Sequence, residues 1–411
     1  MQQGSLQNVF EGINVLDFGQ VLAGPLTSSY LAKWGATVVR VESQARPDMT
    51  RTSSPFKDSI PGVNRSGAFT FNNANKYDIT LELKHPKARS VINKLVQWAH
   101  IICENFTPGT MEQLGLGDEN IRKLNPSVTV LHFSNQGQTG PQWQRRGFGI
   151  QLVAQAGFTN ITGFPDGIPV CSWMGYTDGI VPRFAALALV AALMYRRRTG
   201  KGVCFDLSQL ETSLHFLAPL LLDREIHGRE PKRVGNSAPD AAPHGAYRCQ
   251  GDDRWLAISV HNGEEWKTFC QALDKPEWLS DPRFATFLDR KKNEDELNKL
   301  IEECTIHFSA EQSMKLLQEK GVPSGVVQNH KDLLEDPQLN YRGYWWWLDH
   351  KEIGAYPHFG TPFLMSETPA KPSMPAPLLG EHNEYVCVQL LKMPDEEFVE
   401  FFTEGVFGNL V

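Results

Sequence analysis

The chain predicts an α/β protein with a doubly wound parallel sheet and a second, smaller unit, and three observations lead there. Short apolar runs alternate with segments of helical spacing through the first half, the pattern of βαβ units. The composition changes after about Leu222, where a polar stretch rich in Pro and Gly separates a second set of elements. With 411 residues, 41% of them hydrophobic, there is material for roughly two to three domains with ordinary cores.

Ile13 to Phe18 carries a strand signature. Pro25 opens a helical stretch to about Trp34, since proline fits the first turn of a helix. Ala36 to Glu42 supplies a β-branched second strand, and Asp78 to Leu83 a third. Pro86 to Ala99 places Val91, Ile92, Leu95 and Val96 at helical spacing. His100 to Cys103 and Val128 to Phe133 add two strands. A long apolar run from Ile180 to Tyr195 ends in Arg196, Arg197 and Arg198, which suit the negative end of a helix dipole. Arg224 to Pro243 reads as a linker or loop. Beyond it, Ala246 to Cys249 and Trp255 to Val260 form a strand pair turned by Gly251, Asp252 and Asp253. Helical segments follow near Glu264 to Leu273, Glu294 to His307 and Ala310 to Glu319. Gln338 to Pro375 is rich in aromatics and proline, with a dense patch at Tyr344 to Trp347, and a last helical segment runs from Asn383 to about Lys392.

Several function classes lack their signatures. The turn after the first strand, Gly19 to Pro25, is not the GxGxxG of a dinucleotide site, although it leaves a helix N-terminus open to an anion. No GxxxxGK[ST], HExxH or GxSxG is present. The net charge of −7 argues against broad nucleic-acid binding. Seven scattered cysteines, none paired as CxxC, give neither a disulfide framework nor a metal knuckle, so no metal is expected. The apolar stretch near Phe184 to Tyr195 is too short to span a bilayer, and the N-terminus lacks a signal-peptide pattern. A soluble cytoplasmic protein without membrane or nucleic-acid partners is the expectation.

Asp178 stands directly before the long apolar run. An aspartate there can cap the helix, satisfying backbone N–H groups left open in its first turn. It can equally be a nucleophile, because an ionised carboxylate in a partly dry cleft attacks activated carbonyls. The local pattern leaves both roles open.

An ordered series of short motifs bears on the choice. Val15 to Phe18 with Ala23-Gly-Pro25, then Gly35 to Glu42, Asp48 to Arg51, Asn73 to Lys76 and Glu104 to Gly109 come first. Gly137 to Pro141, Pro169 to Asp178, Arg198 to Gly202, Asp281 to Phe284, Gly321 to Pro323 and Pro377 to His382 follow. Together they resemble the family III CoA-transferases, which include formyl-CoA:oxalate, carnitine and benzylsuccinate CoA-transferases, over nearly the whole chain. The resemblance implies a Rossmann-like large domain from both chain ends (1–205 and 345–411), linkers at 206–244 and 328–344, and a small inserted α+β domain at 245–327. It also implies an interlocked dimer, homomeric or with a related subunit.

The resemblance further implies that Asp178 is the nucleophile. CoA contacts are expected from Val21, Leu22 and Ala23, from Asn75 and Lys76, and from Asn105 and Phe106. Gln113 and Phe148 stand where some relatives carry or neighbour basic residues. Arg40, Arg46, Arg51, Arg145 and Arg146 are the cations that could meet the CoA phosphates instead, with Arg40 and Arg51 placed among the binding residues. The implied activity moves CoA from an acyl-CoA, such as succinyl-CoA, to an aryl- or alkyl-substituted dicarboxylic acid such as benzylsuccinate. It proceeds through an aspartyl anhydride and an aspartyl-CoA thioester, with CoA as substrate and no permanently bound cofactor. A 2-methylacyl-CoA racemase is the main rival, but Ile150 stands where that reaction needs a histidine. A catalytically silent subunit is the other, and the presence of Asp178 argues against it.

Overall fold

Six parallel strands form the central sheet of the computed structural model, which describes residues 8–172, 175–370 and 374–408. They are β1 (Asn14–Asp17), β2 (Thr37–Glu42), β3 (Tyr77–Thr80), β4 (Ile101–Glu104), β5 (Thr129–Ser134) and β6 (Cys204–Ser208), in the order β3-β2-β1-β4-β5-β6. Successive side chains on each strand face opposite layers. Leu16, Val39, Ile102 and Val130 pack on one face with Val91, Ile92, Leu95 and Val96 of the helix Ala88–Trp98. Their neighbours Val15, Val38, Ile101 and Leu131 pack on the other with Leu31 and Ala32 of the helix Ala23–Ala32. Val181, Ala185 and Leu189 of the helix Tyr176–Thr199 join that second layer. The mixed α/β fold with a parallel sheet is therefore as the sequence predicts.

The chain divides into two compact units. The first combines residues up to Phe158 with Cys171–Gly228 and the segment from Asn340 onward. Within it, residues 206–228 carry the helices Gln209–Leu214 and Ala218–His227. Residues from 374 onward pair with β3: the His382 N–H donates to the Asp78 carbonyl, Thr80 N–H to Asn383 Oδ1, and Thr80 Oγ1 to the Phe407 carbonyl. Val386, Cys387, Phe401, Val406 and Phe407 complete the core on that side. The second unit, Thr159–Val170 with Arg229–Leu339, holds an antiparallel sheet of β7 (His244–Arg248), β8 (Trp255–Ser259) and β9 (Ser324–Val326). Its own core is built from Trp266, Phe269, Trp278, Phe284, Leu297, Ile301 and Leu317.

The apolar run near Phe184 belongs to a helix longer than the run itself. Its 24 residues and hydropathy of 1.5 would suffice to cross a bilayer, which corrects the expectation drawn from the run alone. Ile180, Val181, Ala185 and Leu189 are nevertheless buried, the last three in the second layer of the sheet, while Leu187 and Met194 on the same helix are exposed.

Candidate active site

The C-terminal ends of β1, β4, β5 and β6 converge on one cavity of about 370 Å³. The sheet order reverses direction between β1 and β4, the usual place for a ligand in an open parallel sheet. Gln20, Val21, Leu22 and Ala23 follow β1, and Asn105, Phe106, Thr107 and Pro108 follow β4. Phe133, Ser134 and Asn135 come from the end of β5, Gln209 from just past β6, and Asp178 from the long helix. The stretch Trp143 to Gly149, with Arg145 and Arg146, completes the lining apart from Gln144.

The loop after β1 is held from several sides. Asn105 accepts from the Gln20 N–H at 2.6 Å and donates to the Gln20 carbonyl at 2.9 Å. Val21, with φ of 64°, gives its N–H to Asp48 Oδ2 at 2.9 Å. A β-branched residue in left-handed backbone is uncommon and clusters at functional sites. Gly19 and Gly24 are required by proximity, since a Cβ on either would lie 2.9 Å or less from backbone or side-chain atoms across the turn.

Asp178 does not cap its helix. The N-cap is Gly175, and Asp178 occupies the third helical position, its own N–H bonded to the Gly175 carbonyl at 2.8 Å. Its half-buried carboxylate lies on the cavity wall, where Gln209 Nε2 donates to Oδ1. The other oxygen rests against two glycines: a Cβ on Gly149 would sit 2.0 Å from Oδ2, and one on Gly175 2.1 Å from it. Burial pushes the carboxyl above its ordinary range, and the Gln209 hydrogen bond pulls it part of the way back. Ile150, next to Gly149, is exposed and offers no proton-transfer group.

The expected binding residues separate into two groups. Val21, Leu22, Ala23, Asn105 and Phe106 line the cavity with Asp178. Arg40, Arg51 and Lys76 do not. All three are fully buried, and a cation without solvent exposure has no face to offer a soluble phosphate. Lys76 Nζ spends its three donors on Asp17, the Pro25 carbonyl and Asn73. Arg40 binds Asp48 and faces Glu42, while Arg51 pairs with Glu42 and lies 3.5 Å over the Phe69 ring. Their effect reaches the cavity at one remove: Arg40 holds the Asp48 that holds Val21, and Lys76 ties the helix start at Pro25 to Asp17. Asn75 turns toward Met374, accepting its N–H at 2.8 Å. Of the remaining cations proposed from sequence, Arg145 and Arg146 are exposed on the cavity, and among the described residues neither guanidinium has an ion-pair partner. Arg46 is exposed elsewhere.

Gln209 went unnoticed in the sequence. Its signal was positional: it follows the last residue of a parallel strand, the edge at which open α/β sheets present their ligands. The Tyr344–Trp347 patch runs into the ribbon Trp345–His350/Gly354–Phe359 and does not line this cavity.

Residues 10–383 match the profile of CoA-transferase family III. The chain belongs to that family. It is 31% identical over 387 residues to the succinyl-CoA–D-citramalate CoA-transferase of Chloroflexus aurantiacus, covering 94% of this chain and 95% of that protein. The human succinyl-CoA:glutarate CoA-transferase is 30% identical, with 98% and 91% covered. A formyl-CoA:oxalate CoA-transferase of Bradyrhizobium is 29% identical, with 97% of each covered. The crystal structure of a CAIB/BAIF family protein from Brucella suis superposes with a TM-score of 0.86 at 28% identity, covering 93% of this chain and all of that one. The protein is thus a CoA-transferase, an enzyme of acyl-CoA and carboxylate substrates.

Proposed function

We propose that the enzyme moves CoA from succinyl-CoA to a dicarboxylic acid through covalent intermediates on Asp178. The observation that carries this reading is the placement of the Asp178 carboxylate, on the wall of the cavity formed by the loops after β1 and β4 and without a cation partner among the described residues. A carboxylate left unpaired and partly desolvated is a stronger nucleophile than one in a salt bridge.

The exchange then runs in four steps. Asp178 attacks the thioester carbonyl, the C–S bond breaks, and an aspartyl–acyl anhydride and CoA thiolate result. The thiolate attacks Asp178 Cγ and expels the donor acid, leaving an aspartyl-CoA thioester. An acceptor carboxylate attacks the same Cγ and expels the thiolate, and the thiolate then takes the acceptor acyl group from the second anhydride. Every bond made is matched by one of similar energy broken, and the walls of the cavity keep water from the anhydrides. CoA enters along Val21 to Ala23, where the helix Ala23–Ala32 has no side-chain cap and its N-terminus favours an anion. Of the cations that could meet the CoA phosphates, Arg145 and Arg146 take that role, since they line the cavity while Arg40 and Arg51 are fully buried.

The relatives' named substrates, succinyl-CoA with glutarate or D-citramalate, favour a short or alkyl-substituted dicarboxylate as acceptor. Benzylsuccinate tests the aryl-substituted extreme. The enzyme acts as a dimer, with itself or a related chain. Supporting this, Leu187 and Met194 of the long helix are 69% and 62% exposed, and Leu221, Leu222 and Ile226 project from the helix Ala218–His227. Light scattering that found an active monomer would remove the dimer.

The deciding experiment is Asp178→Asn with succinyl-CoA and a panel of acceptors. Asn keeps the shape but cannot form the anhydride, so transfer falls by orders of magnitude while CoA affinity and fold persist. In the wild type, acyl-CoA followed by hydroxylamine or borohydride modifies the Asp178 peptide. Normal turnover in the variant, with no modified peptide in the wild type, would return Asp178 to a structural role.

A further inference from the structure

We infer that Gln209 is a catalytic residue of the transfer, fixing Oδ1 of Asp178 as the oxygen that stays on the enzyme and stabilising the charge it takes when Cγ is attacked. The inference rests on Asp178 being the nucleophile.

Gln209 is 3% exposed and begins the helix Gln209–Leu214, whose start is set by Ser208 accepting the Glu211 N–H. Its amide nitrogen has two hydrogens and two acceptors: Thr177 Oγ1 at 3.1 Å and Asp178 Oδ1. Thr177 is fully buried, so the amide is oriented from behind, and turning it over would set its oxygen against the carboxylate. On the other side, Oδ2 lies in the notch between Gly149 and Gly175. Among the described residues, no side chain donates a hydrogen bond to Oδ2. The two oxygens of one carboxylate are thereby made inequivalent.

That asymmetry has a consequence for where atoms go. Oδ2 attacks the donor thioester and becomes the bridging oxygen of the anhydride. When the thiolate adds to Cγ, the electron pair of the Cγ–Oδ1 double bond moves onto Oδ1. Collapse breaks the Cγ–Oδ2 bond, and the donor acid departs with Oδ2. The acceptor carboxylate then adds to Cγ, charge returns to Oδ1, and the thiolate is expelled. In the last step the thiolate attacks the acceptor's acyl carbon, and Asp178 is released carrying one oxygen from the acceptor. Charge therefore appears on Oδ1 twice in each turnover, with the Gln209 amide already in place to receive it. One oxygen of Asp178 is renewed each cycle, and it is always the one in the glycine notch.

The test is oxygen-18 labelling under identity exchange, with succinyl-CoA and fully oxygen-18-labelled succinate, followed by peptide mass after many turnovers. Turnover itself is read as label entering the succinyl-CoA pool. In the wild type the Asp178 peptide gains one labelled oxygen and then stops. Gln209→Met, which keeps the length but has no donor, lowers transfer by about 10²–10³-fold, the loss typical of removing one oxyanion donor. Its residual turnover labels both oxygens. A wild-type peptide that goes on to gain two labels, or a Gln209→Met enzyme within a few-fold of wild type, overturns the role of Gln209. Should the variant fail to fold, the wild-type label count decides alone. Label entering succinyl-CoA with none on Asp178 would remove the nucleophile instead, which separates the two failures.

Discussion

Gly149→Ala places a methyl group where the Asp178 carboxylate stands. The new Cβ would lie 2.0 Å from Asp178 Oδ2 and 2.8 Å from the Gly175 Cα, against at least 3.4 Å for ordinary contact. Relief requires the carboxylate to retreat by about 1.4 Å or the two glycine backbones to part. The side chain is the softer of the two, so most of the displacement falls on Asp178, the proposed nucleophile. A misplacement of about 1 Å at a reacting atom costs on the order of 10²-fold in rate. The stability loss stays within the ~1–3 kcal/mol usual for overpacking. The assay pairs transfer from succinyl-CoA with thermal unfolding, and adds Gly179→Ala, whose Cβ meets nothing within 4 Å, as a control one residue beyond Asp178. That control gains roughly 0.5–1 kcal/mol from helix propensity. A Gly149→Ala enzyme with wild-type kcat would show that the carboxylate does not need its notch, and the geometric argument would fail.

Three further outcomes are expected. Arg145→Ala and Arg146→Ala weaken CoA binding by calorimetry, with a smaller difference from wild type at high salt, whereas Lys76→Ala breaks a buried pair and costs about 3–5 kcal/mol of stability in denaturant titration. Asp178→Asn is more stable than wild type near neutral pH, because a buried carboxyl raised above its unfolded value destabilises the fold once ionised; the difference shrinks as pH falls toward about 4, where the unfolded carboxyl also protonates. His132 is raised to about 12: burial opposes its charge, but hydrogen bonds to Asp118 and Glu104 outweigh it. Its stabilisation is full below the unfolded value near 6.5 and is lost as pH rises toward 12, so the deficit of His132→Gln measured by denaturation narrows across that window.

Strands β1 to β5 were legible because buried parallel strands are short, apolar and β-branched. Strand β6 was not: Cys-Phe-Asp-Leu-Ser mixes polar and apolar residues, as befits an edge strand that is only partly covered. Strand β9 was hidden in three residues after a proline, and the helix Asp395–Thr403 begins in an acidic triplet that reads as loop. For the cavity, loop residues such as Val21 and Asn105, expected from the ordered motifs, do line it. The buried cations were not, because whether an arginine is solvated depends on carboxylates far off in sequence. Lys76 finds Asp17 59 positions away, and Arg51 finds Asp78 27 positions away. No local window carries that information.

The pairing of β3 with residues 382–407 sets a schedule for synthesis. Thr80 waits for Asn383, which leaves the ribosome 303 residues later. At about 5–20 residues per second that is a delay of roughly 15–60 s. Meanwhile Leu81, Val91 and Leu95 lack the cover of Val386, Phe401 and Phe407. The second unit, whose segments are complete by Leu339, has all its parts before the first does. A nascent chain of this enzyme therefore carries an uncovered apolar face through most of its translation, and its yield in a cell should depend on chaperones that bind such faces more than on the stability of the finished fold.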